Sequence, residues 1–317
     1  MKSVLNNLEF QFSYFYHAKH WLFLIISSII LVLIFSVGQF TQLNHNLTNY
    51  ENNLRFMNDN GISESEALNL PNARQEIELD NGDILEIEDN PLVSSKLAVS
   101  MTLNSISNHY FFQNILEAST FLIFPLILAI YSINLIGNEY ENKMVKIRAI
   151  NQDWRQVILA KLLFLTLTVV GFIIFTALIS YTVASIQYFF IPDHVILKFE
   201  DITLLNDFNV FVNMTIAMII SIIFVCISAM LAVFFKKKMI PIIIIFTYLL
   251  IIPPLSTFDL KNILLNIVGN YFPYQGSSML AGYTLVWLPF CFIYCSIVII
   301  LIIFITMFIA NKQSKYL

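Results

Sequence analysis

The chain has 317 residues, 58% of them hydrophobic and only 12% charged, with a formal net charge of −4. A soluble domain is about a quarter charged, so an ordinary soluble enzyme is excluded, and nothing in the balance points to a nucleic-acid partner. The apolar residues fall in runs of roughly 18 or more, the length that crosses a hydrocarbon core of about 30 Å. The alternating ten-residue segments of a β-barrel are absent. The expected fold is an all-α polytopic membrane protein with six transmembrane helices, an N-terminal interfacial helix and a small mixed α/β extracellular domain between spans 1 and 2.

Residues 1–40 hold the interfacial helix and span 1. From Lys2 to His20, Val4, Leu5, Leu8, Phe12, Phe15 and Tyr16 recur at helical spacing with Asn6, Asn7, Glu9 and Lys19 between them. That pattern fits either an amphipathic helix on the membrane surface or a helical extension of the first span. Span 1 is Trp21–Phe40. Ser36-Val37-Gly38 offers a signal-peptide cleavage site, but the leader before it is long, aromatic and barely basic, which favours an uncleaved span.

Residues 41–113 form the one long polar segment. Leu43, Leu47, Tyr50, Leu54 and Met57 make a helical stripe that can pack on a neighbour. Ile77 and Leu79 face Leu85 and Ile87 across Asp80-Asn81-Gly82-Asp83, a hairpin signal. The stretch from Glu76 to Asp89 is strongly acidic, and Pro91–Gln113 returns to the membrane as a helix.

Residues 114–317 hold spans 2 to 6. Span 2 is Asn114–Ile136, with Pro125 expected to kink it; span 3 is Leu162–Ile186. Gln187–Asn209 reads as a polar connector, span 4 as Val210–Phe235 closed by Lys236-Lys237-Lys238, and span 5 as Met239–Thr257 ending near Pro253-Pro254. The half-polar stretch 259–283, with Gly269, Pro273 and Gly276 as breakers, is either a re-entrant segment or an amphipathic surface loop. Span 6 is Thr284–Ala310.

Six spans put both termini on one side. The N-terminus, the 137–161 loop, the 236–238 loop and the tail hold 12 of the 17 Lys and Arg residues; the other side holds 17 of the 21 Asp and Glu residues, Glu117 included. The positive-inside rule then makes the termini and the 137–161 loop cytoplasmic and the acidic domain external, in a cell (plasma) membrane. The same rule accounts for Lys236–Lys238, which can also meet anionic lipid headgroups. Usage rich in Asn, Ile and Lys suits a low-GC bacterium.

Apart from Glu117 near the outer end of span 2, the spans contain no Asp, Glu, Lys, Arg or His, which argues against proton-coupled transport. His17, His20, His45, His109 and His194 all lie outside the spans. There is no HExxH, no metal-ligand cluster and no membrane serine with a His or Asp at its depth. Cys226, Cys291 and Cys295 sit inside apolar runs, with Cys291 and Cys295 spaced as a packing pair. No catalytic residue, metal or cofactor is expected. No GxxxxGK[ST] loop is present, so energy for uphill movement would have to come from a partner that binds ATP and Mg²⁺.

The segment 137–161 is the densest mix of charges in the chain. Glu139, Glu141, Lys143, Lys146, Arg148, Asp153, Arg155 and Lys161 surround an apolar strip of Met144, Ile147 and Ile150. On the residues alone it is either a helix on the cytoplasmic face that a partner can push, or a charged linker that sets topology. In this place it resembles the coupling helix of ABC-2-type ATP-binding cassette transporter permeases. The family pattern is an acidic pair, Gly-Thr, an apolar stretch, a polar turn with Arg, and a Lys opening span 3. Glu139 and Glu141 match the pair, Ile147 and Ile150 the stretch, Arg155 the Arg and Lys161 the Lys, while Asn142-Lys143 departs from Gly-Thr.

The resemblance implies a non-catalytic permease subunit with an interfacial helix, six spans, a coupling loop 137–161 and a re-entrant region before span 6. It also implies a cytoplasmic ABC ATPase subunit, a second permease that is identical or homologous, contact with membrane lipid, and export of an amphipathic or hydrophobic cargo such as a peptide, antibiotic or lipid-like molecule. Glu139, Glu141, Lys143, Arg148, Trp154, Arg155 and Lys161 are the expected ATPase contacts. The rival reading is a receptor or scaffold that senses a ligand through the acidic outer domain.

Overall fold

The computed structural model describes residues 2–69, 73–78, 84–145, 153–199, 209–272 and 283–314. Among them the elements run α1 Lys2–His17, α2 His20–Asp59, α3 Glu64–Leu68, β1 Ala73–Glu78, β2 Ile84–Asp89, α4 Pro91–Ile106, α5 Asn108–Ser119 and α6 Ile123–Glu141. They continue with α7 Trp154–Phe189, α8 Asp193–Phe199, α9 Val210–Phe235, α10 Met239–Leu250, α11 Leu260–Tyr271 and α12 Leu288–Ser314. The chain divides into two units, one of Met1–Ile29, Gln113–Leu178 and Phe208–Leu317, the other of Ile30–Phe112 and Ile179–Asp207.

Five of the described helices are long and apolar enough to cross a membrane: α2, α6, α7, α9 and α12. The expected sixth, span 5, is the exception. Its helix α10 has only 12 residues, or about 18 Å at 1.5 Å per residue. Pro253-Pro254 explain why it goes no further: they remove two N–H donors and push the preceding residues out of helical geometry. Span 2 also departs from expectation. Instead of kinking at Pro125, the chain breaks at Thr120–Leu122 and restarts as α6, with Pro125 in the first turn. There the missing N–H is one the helix could not have bonded anyway.

The unit of Ile30–Phe112 and Ile179–Asp207 has its own apolar core. Leu43 and Tyr50 are buried with Leu92, Val99, Leu103 and Ile106 of α4, and Leu47, Leu54 and Met57 pack at the edge. The stripe read from the sequence is thus the α2 side of this core. The segment read as a plain connector belongs to the same core, since Ile191, Val195 and Phe199 are buried in it. Ser100 Oγ donates to the Phe199 carbonyl at 2.8 Å, and Phe199 meets the Tyr50 ring edge-on at 5.0 Å.

Asn90 caps α4 through Leu92 N, with Pro91 in the first turn, and donates to the Ala67 carbonyl at 2.8 Å. Tyr50 Oη donates to Glu64 Oε1 at 2.6 Å, and Lys198 Nζ lies 3.0 Å from the same oxygen. The Tyr50 hydroxyl, helped by Lys198, holds the Glu64 carboxyl below the usual range. Strands β1 and β2 pair antiparallel with Ile77 opposite Leu85. The expected turn, Leu79 to Asp83, lies outside the described residues.

In the other unit α9 is the central helix and packs on α6, α10, α11 and α12. Asn209 caps its start through Val212 N, and Lys236, at φ 55°, ends it. The buried face includes Ser228, Ala229 and Ala232, small residues that let helix backbones approach without a hydrophobic drive between them. Ser132 Oγ of α6 donates to the Val225 carbonyl at 3.2 Å. Ser28 of α2 and Thr176 of α7 are hydrogen-bonded at 2.8 Å. Because Thr176 already donates to the Phe172 carbonyl, Ser28 is the donor.

Residues 259–272 and 283–287 form a clamp. Asp259 caps α11 through Lys261 N and also accepts from Tyr248 Oη at 2.9 Å and Leu255 N at 3.1 Å. Asn262 and Asn266, four apart on α11, bind the extended segment 283–287. Thr284 N donates to Asn262 Oδ1 and Val286 N to Asn266 Oδ1, while both amides donate to the Thr284 carbonyl. This supplies the backbone partners that a non-helical segment needs in an apolar setting. Gly269 is no breaker. It lies within α11, where a Cβ would come 2.8 Å from Tyr283 Oη. Pro273 and Gly276 lie outside the described residues.

Candidate coupling site at the 137–161 loop

Helix α6 ends where Lys143, at φ 57°, turns the chain and donates to the Tyr140 carbonyl. Helix α7 begins after Asp153, whose carboxylate accepts from Arg155 N at 3.0 Å. Residues 146–152 lie outside the described set, and with them the expected contact Arg148 and the strip residues Ile147 and Ile150. The remaining expected residues fall into two groups.

Glu139, Trp154 and Lys161 point inward. Lys161 Nζ lies 2.8 Å from Glu139 Oε2, with the two side chains 1% and 9% exposed, and it also donates to the Leu135 carbonyl at 3.2 Å. Two ions out of water are tolerated only when they are paired this closely and hydrogen-bonded further. The pair joins α6 to α7.

Trp154, also 1% exposed, donates through Nε1 to Tyr140 Oη at 3.2 Å and meets that ring edge-on at 5.9 Å. Tyr140 Oη donates in turn to Gln313 Oε1 at 2.8 Å, and Gln313 Nε2 donates to the Val233 carbonyl at 2.9 Å. One chain of contacts therefore ties the ends of α6, α7, α9 and α12.

Glu141, Lys143 and Arg155 face outward. Glu141 Oε2 lies 2.8 Å from Lys238 Nζ, and its other oxygen accepts Lys238 N at 3.2 Å. A carboxylate thus sits at the start of α10, where a helix favours negative charge. The Lys236–Lys238 run is consequently more than a topology signal, because Lys238 fastens α10 to α6. Gly137 permits this approach, as a Cβ there would lie 2.5 Å from Lys238 Cγ. The Arg155–Asp153 contact, 3.6 Å and about half exposed on both sides, is of the kind that contributes little.

Sequence reasoning missed Gly137, Tyr140, Lys238 and Gln313. Tyr140 stands between the two matched glutamates, the only signal that could have drawn attention to it. Gln313 lies far along the chain and carries none.

The arrangement has no nucleophile–base pair, and no group of three His, Cys, Asp or Glu side chains that could hold a metal occurs among the described residues. What it offers is mechanical: an exposed polar face whose supports are wired into four helices. The family model described as ABC-2 family transporter protein matches residues 92–252, half of the chain, from α4 through this site to α10. No curated protein and no solved structure matches the chain at a significant level. The chain is a multi-pass membrane protein and belongs to the ABC-2 family of transporter proteins.

Proposed function

We propose that this permease works with a cytoplasmic ABC ATPase that docks on the face carrying Glu141, Lys143 and Arg155, together with the 146–152 stretch and its Arg148. The observation that carries the reading is the contact chain behind that face: Glu139–Lys161, and Trp154–Tyr140–Gln313–Val233. Closure of an ATPase pair on ATP pushes the loop. Glu139, Trp154 and Lys161 act as positioning residues that pass the push to α6, α7, α9 and α12, and a path along the interface with a second permease opens outward. ATP and Mg²⁺ belong to the partner, and this chain contributes no reacting group.

The same reading makes both termini and the loop cytoplasmic, in a bacterial plasma membrane. It places the unit with β1 and β2 outside as a mixed α/β domain, takes α10 and the Pro253-Pro254 break as a short fifth passage, and makes α11 with the segment before α12 a re-entrant turn. The apolar middle portions of the spans favour an amphipathic or hydrophobic cargo moving outward.

Mild-detergent capture of the tagged chain from its native membrane tests this. Wild type is expected to bring down a Walker-motif ATPase. A Lys143→Glu, Arg155→Glu variant is expected to lose it while keeping its thermal stability, since both side chains are exposed. Wild type that retains no ATPase, under conditions that preserve a control transporter, would favour the receptor reading.

A further inference from the structure

We infer that the chain holds one acyl chain of an inner-leaflet phospholipid in a groove between α1, the start of α2, and α7. The groove is a cavity of about 320 Å³ lined by Phe12, Phe15, Trp21, Leu24, Phe164 and Phe172, and it includes Gly171 and Phe175. Its volume is at the lower end for a ligand pocket, which suits a single chain. The one hydroxyl in its wall, that of Thr168, is spent on the Phe164 carbonyl at 2.9 Å. Water has no partners there, and such a cavity excludes it.

Length and orientation identify the occupant. The α7 wall runs from Phe164 to Phe175, roughly 16 Å at 1.5 Å per residue, about half of a 30 Å hydrocarbon core. That is the depth of one leaflet. One end is crossed by α1, whose Phe12 and Phe15 rings lie 5.1 and 5.4 Å from Phe164. Helix α1 buries Asn7 and Gln11 and leaves Leu5, Phe10 and Tyr16 exposed beside Asn6, Glu9, Ser13 and His17. This is the face a helix shows to the headgroup–acyl boundary. At the same end the chain turns through Lys19, at φ 56° and exposed, two residues before Trp21. An ammonium at that boundary matches the phosphate of a lipid whose tail fills the groove.

Gly171 supplies the test, because it lines the groove and a Cβ there meets nothing within 4 Å, so a large side chain has open space in which to start. The full chain is reconstituted in nanodiscs with phospholipid carrying a photoactivatable diazirine in its acyl chain, and labelled peptides are mapped by mass spectrometry. Peptides from 164–175 are expected to be labelled several-fold above α12 peptides around Phe304 and Phe308, which are exposed. G171W should lower that labelling about fivefold and leave α12 unchanged; G171L serves in its place if G171W does not accumulate, and G171A should label like wild type.

Labelling of 164–175 no stronger than that of α12, or unmoved by G171W and G171L, would overturn the inference. Crosslinks between two copies through 164–175 would also overturn it, as would labelling by a free single-chain lipid but not by phospholipid. None of these readouts involves the ATPase, so the result stands apart from the docking proposal.

Discussion

Lys161 and Lys261 are both buried in the same unit, yet one meets a carboxylate on another long helix and the other is held by carbonyls nearby in sequence. Lys161 pairs with Glu139 across α6 and α7. Lys261 Nζ donates to the carbonyls of Tyr248, Leu249 and Ile252 at 3.3, 3.0 and 2.6 Å. Its three protons match three acceptors at the negative end of α10. The first arrangement joins two long helices. The second closes a local elbow. Burial of a lysine does not by itself mark a joint between long helices; the element that carries its partner does.

Replacing each lysine by methionine sharpens the contrast. Lys161→Met takes the paired cation away from the buried Glu139 carboxylate and should cost about 3–5 kcal/mol, seen as a large fall in Tm in detergent. Adding Glu139→Leu should restore most of that Tm, because paired apolar residues replace a buried ion pair at little cost. Lys261→Met leaves only unsatisfied carbonyls and should cost about 1–3 kcal/mol, with ATPase binding unchanged. If Lys261→Met proved the more damaging of the two, or the double replacement gave no recovery, the distinction would fail.

A smaller effect is expected in the other unit. Glu64 is held below its usual range by Tyr50, then by Lys198. A depressed carboxyl stabilises the fold above its unfolded pKa, and that contribution disappears as pH falls through the folded value. Because the group is about a third exposed, solvent screening limits the effect to under about 1 kcal/mol. Exchange protection over 43–68, taken relative to the intrinsic rate at each pH, should therefore fall modestly as pH drops below about 4.5 in wild type and stay flatter in Glu64→Gln. Equal pH dependence in both would assign the stability of that region to its apolar core alone.

Much of this was legible in the sequence because hydropathy and spacing are local. The long apolar helices, the Leu43-to-Met57 stripe and the placement of the charged loop all follow from one window of residues at a time. The misses are non-local or depend on register. Pro253-Pro254 were visible, but whether they end a span or merely close one depends on the clamp that Asn262 and Asn266 build with 283–287. The role of 187–199 in the core of the unit that holds Leu43 and Tyr50 needed contacts between α8 and the distant helices α2 and α4. At the loop, charge drew attention to the segment but could not separate the residues that face out from those that hold the helices together. That separation is set by the helical phase of Glu139 against Glu141 and by Gln313, far along the chain.

The most direct test places a photocrosslinking amino acid at position 155 and, separately, at position 154 in the native membrane. The account predicts a crosslink to a Walker-motif ATPase from 155, where the native side chain is exposed, and none from 154, where it is buried against Tyr140. Crosslinks from 155 that reach only lipid or this chain itself, with an ATPase present in the membrane, would contradict the claim that this face receives the motor.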